Sequence, residues 1–225
     1  MVTTQTKIKL NGGGPFRLIL ILSAISFALT LWLYPSLPGE IAIHWNIHGE
    51  IDNYGSKNWV FLFAAIPLLI YILALFLPRI DPRRENYVKH RATFRLIITG
   101  IALAMIALHW ITILFSLQFN VDVTMWVKIV LGLTWVLIGN YIPRIRHNYT
   151  FGIRTPWTLA NENVWIKTHR IGGYGFIFSG IIWLIFAPFS YPWVFSLLIG
   201  EISAVALSLV VVSWLFFRKE NHRLQ

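Results

Sequence analysis

The chain has 225 residues, 56% hydrophobic and 12% charged, with a mean hydropathy of +0.64. Soluble domains of this size are about a quarter charged, so the composition excludes an ordinary soluble domain and points to an integral membrane protein. The net charge of +10 sits in short blocks beside apolar runs, which reads as membrane topology rather than nucleic-acid binding, and the absence of cysteine excludes disulfides, thiol catalysis and thiolate metal sites.

Residues 1–15 form a polar tail with Lys7, Lys9 and the breaker Gly12-Gly13-Gly14-Pro15. The first apolar run, 16–34, is too long for a signal-peptide core. It is followed by Pro35-Ser36-Leu37-Pro38 rather than a small-residue cleavage site, so it is expected to be a retained anchor. Five further runs follow at 59–78, 93–117, 123–142, 172–188 and 193–217. Each is near the ~20 residues that cross the hydrocarbon layer, the fifth being short. Backbone groups in lipid must bond internally, so the runs predict six helices. The connections after the third and fifth runs are short enough to make those pairs antiparallel hairpins.

Of the nineteen Lys and Arg residues, all but Lys57 and Lys128 fall on alternate connections: 7–17, 79–95, 144–170 and 218–223. The positive-inside rule then predicts both termini in the cytoplasm, with 35–58 outside and 143–171 inside. The expected fold is an all-α membrane protein, a six-helix bundle with an ordered outer loop and an amphipathic inner loop. A faint repeat links the two cytoplasmic exits. Pro78-Arg79-Ile80-Asp81-Pro82 precedes Asn86-Tyr87, and Pro143-Arg144-Ile145-Arg146 precedes Asn148-Tyr149. It reads either as Pro-Arg stopping a helix at the positive face or as a duplicated two-helix unit.

In the outer loop Ile41, Ile43 and Trp45 alternate with polar or small residues. This predicts a short strand with one apolar face, turning at Gly49 and Gly55. His44, His48, Glu50 and Asp52 are a conceivable metal set, but a strand ending in a turn converges them poorly. The alternatives are a cap over the helix ends or a ligand-recognition surface. Glu40, Glu50 and Asp52 against Lys57 make the loop slightly acidic, which suits a cationic or amphipathic peptide.

Ionisable residues inside spans are functional suspects, because charge in lipid is costly. His109, Lys128 and Glu201 all fall in the outer half of the bilayer, at depths of about 12, 7 and 12 Å by helical rise. A Lys128–Glu201 pair near His109 is the economical arrangement. It serves equally as a helix lock, a ligand cavity or a proton path.

In the inner stretch Pro143 stops the fourth span, and Thr155 before Pro156 predicts a turn over 152–156. Thr158 is expected to cap a short helix through His169. Tyr141, Tyr149, Trp157 and Trp165 suit the headgroup layer. The stretch is then an amphipathic segment on the inner leaflet or a docking platform for a cytoplasmic protein.

The string Gly139-Asn140-Tyr141-Ile142-Pro143, with Asn148-Tyr149, Gly152-Ile153-Arg154-Thr155-Pro156-Trp157-Thr158-Leu159, Trp165 and Lys167-Thr168-His169-Arg170, resembles the SdpI family of bacterial membrane proteins. Tyr34-Pro35, Leu37-Pro38, Ile43-His44-Trp45-Asn46, Gly49, Asp52 and Ser56-Lys57 look like the uncharacterised membrane domain that often precedes it. The resemblance implies a plasma-membrane protein giving immunity to a secreted, membrane-active peptide toxin. It also implies signalling, by holding a small DNA-binding repressor at the membrane. It implies no catalytic residues and no cofactor. The expected organisation is a tail 1–15, an N-terminal membrane domain 16–90, an SdpI-like domain 91–217 and a tail 218–225. Toxin contact is expected at His44, Trp45, Asn46, His48, Asp52 and Lys57. The cytoplasmic motif is Asn140, Tyr141, Pro143, Asn148, Tyr149, Gly152, Arg154, Thr155, Pro156, Trp157, Lys167, His169 and Arg170, and a repressor is expected to dock at its Arg154–Trp157 turn and Lys167–Arg170 segment. Membrane lipid is the remaining expected partner. The alternatives are a proton-coupled transporter of a small amphiphile or peptide, with Glu201 and His109 as proton carriers, and a metal-dependent membrane enzyme on His44, His48 and Asp52. The enzyme is disfavoured, since there is no HExxH, no GxSxG and no carboxylate pair at helical spacing in a span.

Overall fold

The computed structural model describes residues 14–46 and 50–223. Six of its helices are long and apolar enough to cross a membrane. They are α1 (Gly14–Leu33), α2 (Trp59–Ile80), α4 (Arg91–Ser116), α5 (Val123–Tyr141), α7 (Glu162–Phe186) and α8 (Pro192–Arg223). Two five-residue helices, α3 (Glu85–Lys89) and α6 (Pro156–Ala160), lie in the connections. An antiparallel hairpin of β1 (Glu40–Trp45) and β2 (Ile51–Ser56) fills the first connection. Leu18, Ile21, Trp32, Leu73, Phe76, Leu207 and Val211 are exposed, as lipid-facing helix surfaces require.

Beside its apolar clusters the interior holds buried polar side chains. Ser23, Ser26 and Thr30 of α1 are buried against α4, where Thr30 Oγ1 lies 2.8 Å from His109 Nε2 and Trp110 Nε1 donates to Ser26 Oγ at 3.0 Å. Between apolar helices in lipid there is little hydrophobic drive, so small residues and hydrogen bonds hold the contact. The α5–α7 crossing uses glycine instead. A Cβ on Gly132 would meet the Gly180 carbonyl at 3.0 Å, and one on Gly139 would meet the Gly173 carbonyl at 2.6 Å. The two pairs are seven residues apart on each helix, so one antiparallel stripe lets the backbones touch at two levels. The helix α4 packs on α1 and α2 on one side and on α5 on the other.

Three expectations change. First, the β1 alternation is interrupted. Ile41 and Ala42 are both buried, His44 is exposed, and the register shifts between Ala42 and His44 and again before Trp45. A bulge breaks the period of two. Second, Thr158 is not the helix cap. Thr155 takes that role. Its hydroxyl accepts from the Thr158 N–H at 3.1 Å, while the Thr158 hydroxyl accepts from the Thr155 N–H at 2.8 Å. Pro156 follows at the first helical position, where its missing N–H costs nothing. Third, the inner loop ends at Asn161, whose side chain caps α7 by accepting from the Val164 N–H at 3.1 Å. The fifth span therefore starts at Glu162, ten residues before the apolar run, and is not short. Trp165 and His169 lie in this extension, fully buried, so the Trp165 ring is covered by protein.

Candidate functional site

The β-hairpin closes a cavity of about 300 Å³ at one end of the bundle. The hairpin supplies Ile43, His44, Trp45 and Asn46. The last turns of α4 supply Leu108, Ile111 and Thr112, the first turns of α5 supply Val123, Thr124 and Val127, and Phe195 of α8 completes the wall. Trp45 is set by an edge contact with Phe115, with ring centroids 6.4 Å apart. The hairpin is held down by its own core of Leu37, Ile41 and Val60. The start of α5 is held by Asp122, which accepts from the Met125 N–H and from the Thr124 and Ser190 hydroxyls. Burial opposes ionisation of Asp122, but these donors and nearby Lys128 outweigh it and hold the carboxyl below its usual range.

Of the expected outer residues, His44, Trp45 and Asn46 line this cavity. Asp52 stands behind it, its Oδ1 2.6 Å from His44 Nδ1, and both side chains are exposed. Lys57 does not line it. Its ammonium lies on the carbonyls of Tyr34 and Leu37 and over the Tyr34 ring. His48, with Gly49, lies outside the described residues. Among the described residues no three His, Asp or Glu side chains converge as a metal set.

The intramembrane residues are separated rather than paired. Lys128 is buried on α5 and donates to the carbonyl of Phe189 at 2.6 Å and of Phe186 at 3.4 Å. It thus caps the C-terminal end of α7, where helix carbonyls lack partners and the dipole favours a cation. Glu201 instead accepts from Ser179 Oγ at 2.7 Å. The expected Lys128–Glu201 pair is absent because the carbonyls ending α7 satisfy Lys128 locally. His109 belongs to the α1–α4 contact.

At the opposite end the two helix exits bind each other. Asp81, buried after α2, accepts at Oδ2 from the N–H groups of Tyr149 (2.9 Å) and Thr150 (3.0 Å) and from Thr150 Oγ1 (2.9 Å). Its Oδ1 accepts from the Arg83 N–H at 2.7 Å. Asn86 donates to the His147 carbonyl, Arg83 to the His147 ring, and Tyr87 bonds Thr150. The repeated Asn-Tyr elements thus lie in mutual contact. Asn148 Oδ1 accepts from the N–H groups of Thr150 and Phe151, which closes the turn.

The next turn is pinned by α7. His169 Nε2 accepts from the Ile153 N–H at 3.0 Å while Nδ1 meets the Trp165 carbonyl at 2.9 Å. The ring must therefore be neutral with its proton on Nδ1. Gly152 sits beside it at φ +119°, and a Cβ there would lie 2.5 Å from His169 Nε2. Trp165 stacks on His169 and donates to the Ile145 carbonyl. Thr155 reaches Ser213 of α8 at 2.9 Å, and Lys167 pairs with Glu220.

Asn148, Thr155, Trp165 and His169 are buried architecture, whereas Asn140, Pro143, Tyr149, Arg154, Pro156 and Arg170 are exposed. Tyr141 and Trp157 are half-buried. Residue-by-residue reading passed over Asp81, Arg83, Tyr87, His90, His147, Thr150 and Ser213. The repeat between the two exits contained Asp81 and Tyr87, and nothing in the sequence singled out the others.

His90 joins this knot, accepting from the Arg146 N–H at 3.2 Å. Burial, and then the Arg146 charge, push its pKa down from 6.5 to about 4 against a smaller opposing effect of Asp81. The folded state therefore keeps His90 neutral while the unfolded chain protonates near 6.5. Its contribution is complete above that pH and is lost as pH falls toward 4. The thermal midpoint in detergent is expected to drop between pH 7 and pH 4.5, and His90→Gln to flatten that drop. An unchanged drop in the variant would show that other groups carry it.

Residues 144–216 match the SdpI/YfhL protein family, and residues 21–78 match a domain of unknown function, DUF1648. The chain is 24% identical over 202 residues to Immunity protein SdpI of Bacillus subtilis (strain 168), across 90% of this chain and 95% of that protein. The chain is thus similar to the SdpI family in its C-terminal third and to this immunity protein along most of its length. No solved structure matches it. With its six spans it is a multipass bacterial membrane protein. The SdpI-type segment contains the turn pinned by His169, helices α6 and α7 and most of α8. The DUF1648 segment contains most of α1, the hairpin and most of α2. The cavity lies where the hairpin of the second meets helix ends lying partly within the first and partly between the two segments.

Proposed function

We propose that this protein protects its cell from a secreted, membrane-active peptide, with the hairpin end outside and both termini in the cytoplasm. The similarity to Immunity protein SdpI along nearly the full chain carries this reading. The hairpin cavity supports it, because three of the side chains expected to meet a ligand, His44, Trp45 and Asn46, line one concave site. Signal output, if coupled to it, falls to the exposed Tyr149, Arg154, Pro156 and Arg170 at the other end, held on the rigid knot. A repressor is the partner the family resemblance implies there.

The test is protection. Cells sensitive to the toxin that SdpI-type immunity answers should survive challenge when they express this chain. Death at the rate of empty-vector cells would overturn the proposal. Orientation is checked separately, since the chain has no cysteine of its own. Asn53→Cys should react with a membrane-impermeant maleimide on intact cells, and Lys219→Cys only after lysis. The reverse pattern would invert the topology.

A further inference from the structure

We infer that the hairpin cavity takes a bulky apolar side chain of a cationic peptide segment, an assignment that rests on the immunity reading above. The first observation is the chemistry of the walls. Leu108, Ile111, Val123, Val127 and Phe195 offer only carbon, the polar atoms of His44, Trp45 and Asn46 are confined to the hairpin side, and the protons of the two hydroxyls are already used. Thr112 donates to the Leu108 carbonyl at 3.2 Å, and Thr124 donates to Asp122 at 2.8 Å. A polar or ionic group entering this space would lose its water and find walls whose hydroxyl protons are committed, which is costly. An aromatic or branched aliphatic side chain loses nothing polar and gains burial.

The second observation is the charge bonded to the lining. Two of the cavity-lining residues are each bonded to an exposed carboxylate of the hairpin segment. His44 pairs with Asp52 at 2.6 Å. Asn46 donates to Glu50 Oε2 at 3.2 Å and accepts from the Glu50 N–H at 3.0 Å. Asp122 caps the helix whose first turn forms the wall. Among the described residues, the two lysines of this end are held by backbone carbonyls. Lys57 is on the Tyr34 and Leu37 carbonyls, and Lys128 is on those ending α7. An apolar pocket with two exposed carboxylates bonded to its lining residues repels the phosphate of an anionic lipid whose chain would fill it. It attracts a lysine, arginine or terminal amine next to an apolar anchor. A peptide segment of that composition therefore fits where a membrane lipid does not.

The experiment uses the full chain in phosphatidylcholine nanodiscs and three amidated tripeptides read by isothermal titration: lysine-tryptophan-lysine, glutamate-tryptophan-glutamate and lysine-serine-lysine. The first is expected to bind roughly tenfold tighter than either other. Asp52→Asn with Glu50→Gln should weaken it about fivefold, the size expected for two exposed charge contacts, and should remove most of its salt dependence. Val127→Trp, filling the cavity, should abolish binding while the protein stays monodisperse. If Val127→Trp does not fold, Thr112→Val supplies the test: it keeps the wall apolar, so lysine-tryptophan-lysine binding should stay intact, and its loss would overturn the assignment. Equal binding of the serine or glutamate peptide, or full binding by folded Val127→Trp, would overturn the assignment. Protection by the wild type that survives in folded Val127→Trp would refute the cavity alone. Cavity binding without protection would refute the immunity reading alone.

Discussion

Replacing Asp81 with alanine is expected to lower the unfolding free energy by about 4 kcal/mol, because it strips partners from buried backbone donors at roughly 1–3 kcal/mol each. Arg83 and Tyr149 lose the acceptor of their N–H groups. Thr150 loses the acceptor of its hydroxyl and one of two for its N–H, the other being Asn148 Oδ1. The carboxylate is buried, so water cannot freely replace it. Asp81→Asn should be milder. An amide oxygen in the Oδ2 position keeps the three bonds to Tyr149 and Thr150 and sacrifices only that from Arg83. The order wild type, Asn, Ala in thermal midpoint of the detergent-solubilised protein is therefore the diagnostic result. Equal midpoints for alanine and wild type would mean that the two exits are not held together through this side chain. Because the bonded partners lie in the 149–150 turn, the alanine variant should also expose that turn to protease in inside-out vesicles.

Gly139→Ala is expected to cost about 3 kcal/mol, the upper part of the range for overpacking a fitted core. The added Cβ would stand 2.6 Å from both the Gly173 carbonyl oxygen and the Ile177 nitrogen. Both are backbone atoms, so no rotamer change relieves the contact and α5 must move off α7. Gly100→Ala is the informative comparison. Its Cβ meets only the Leu137 side chain, whose far end can swing away, so a smaller loss is expected. Gly200→Ala meets nothing within 4 Å and should gain up to about 1 kcal/mol of helix propensity. Midpoints ranked Gly200→Ala, Gly100→Ala, Gly139→Ala support the glycine stripe. A Gly139 variant as stable as the Gly200 variant would refute it.

Much of the fold was legible in the chain because lipid imposes a simple rule. Apolar runs of about twenty residues must be helices, and each expected run coincides with an observed helix, four of them running one or two residues past its C-terminal end. Where the rule stops, local chemistry took over. The start of α7 at Glu162 precedes its apolar run by ten residues, because Asn161 caps it and Trp165, Thr168 and His169 are buried in protein rather than lipid. Hydropathy does not distinguish a polar residue buried in a knot from one in water. Likewise Lys128 and Glu201 were placed in spans correctly but paired wrongly, since the carbonyls that satisfy Lys128 belong to a helix end 58–61 residues away.

The candidate site divides in the same way. The hairpin residues His44, Trp45 and Asn46 announced themselves as polar and aromatic groups in an ordered loop. The apolar wall they close, from Leu108 to Phe195, carried no signal, since leucine and valine in a span are what any lipid-facing helix would show. The sequence alone determined that six segments enter the bilayer, which family patterns they carry and which loops are rich in chemistry, because these depend on composition and short-range spacing. Only the tertiary structure decided that Asp81 grips the 149–150 turn, that glycines bring α5 and α7 into backbone contact, and that a strand hairpin and three helix ends enclose one cavity. Those depend on which distant surfaces meet, a choice made by packing shape and by the need of each buried polar group for a partner.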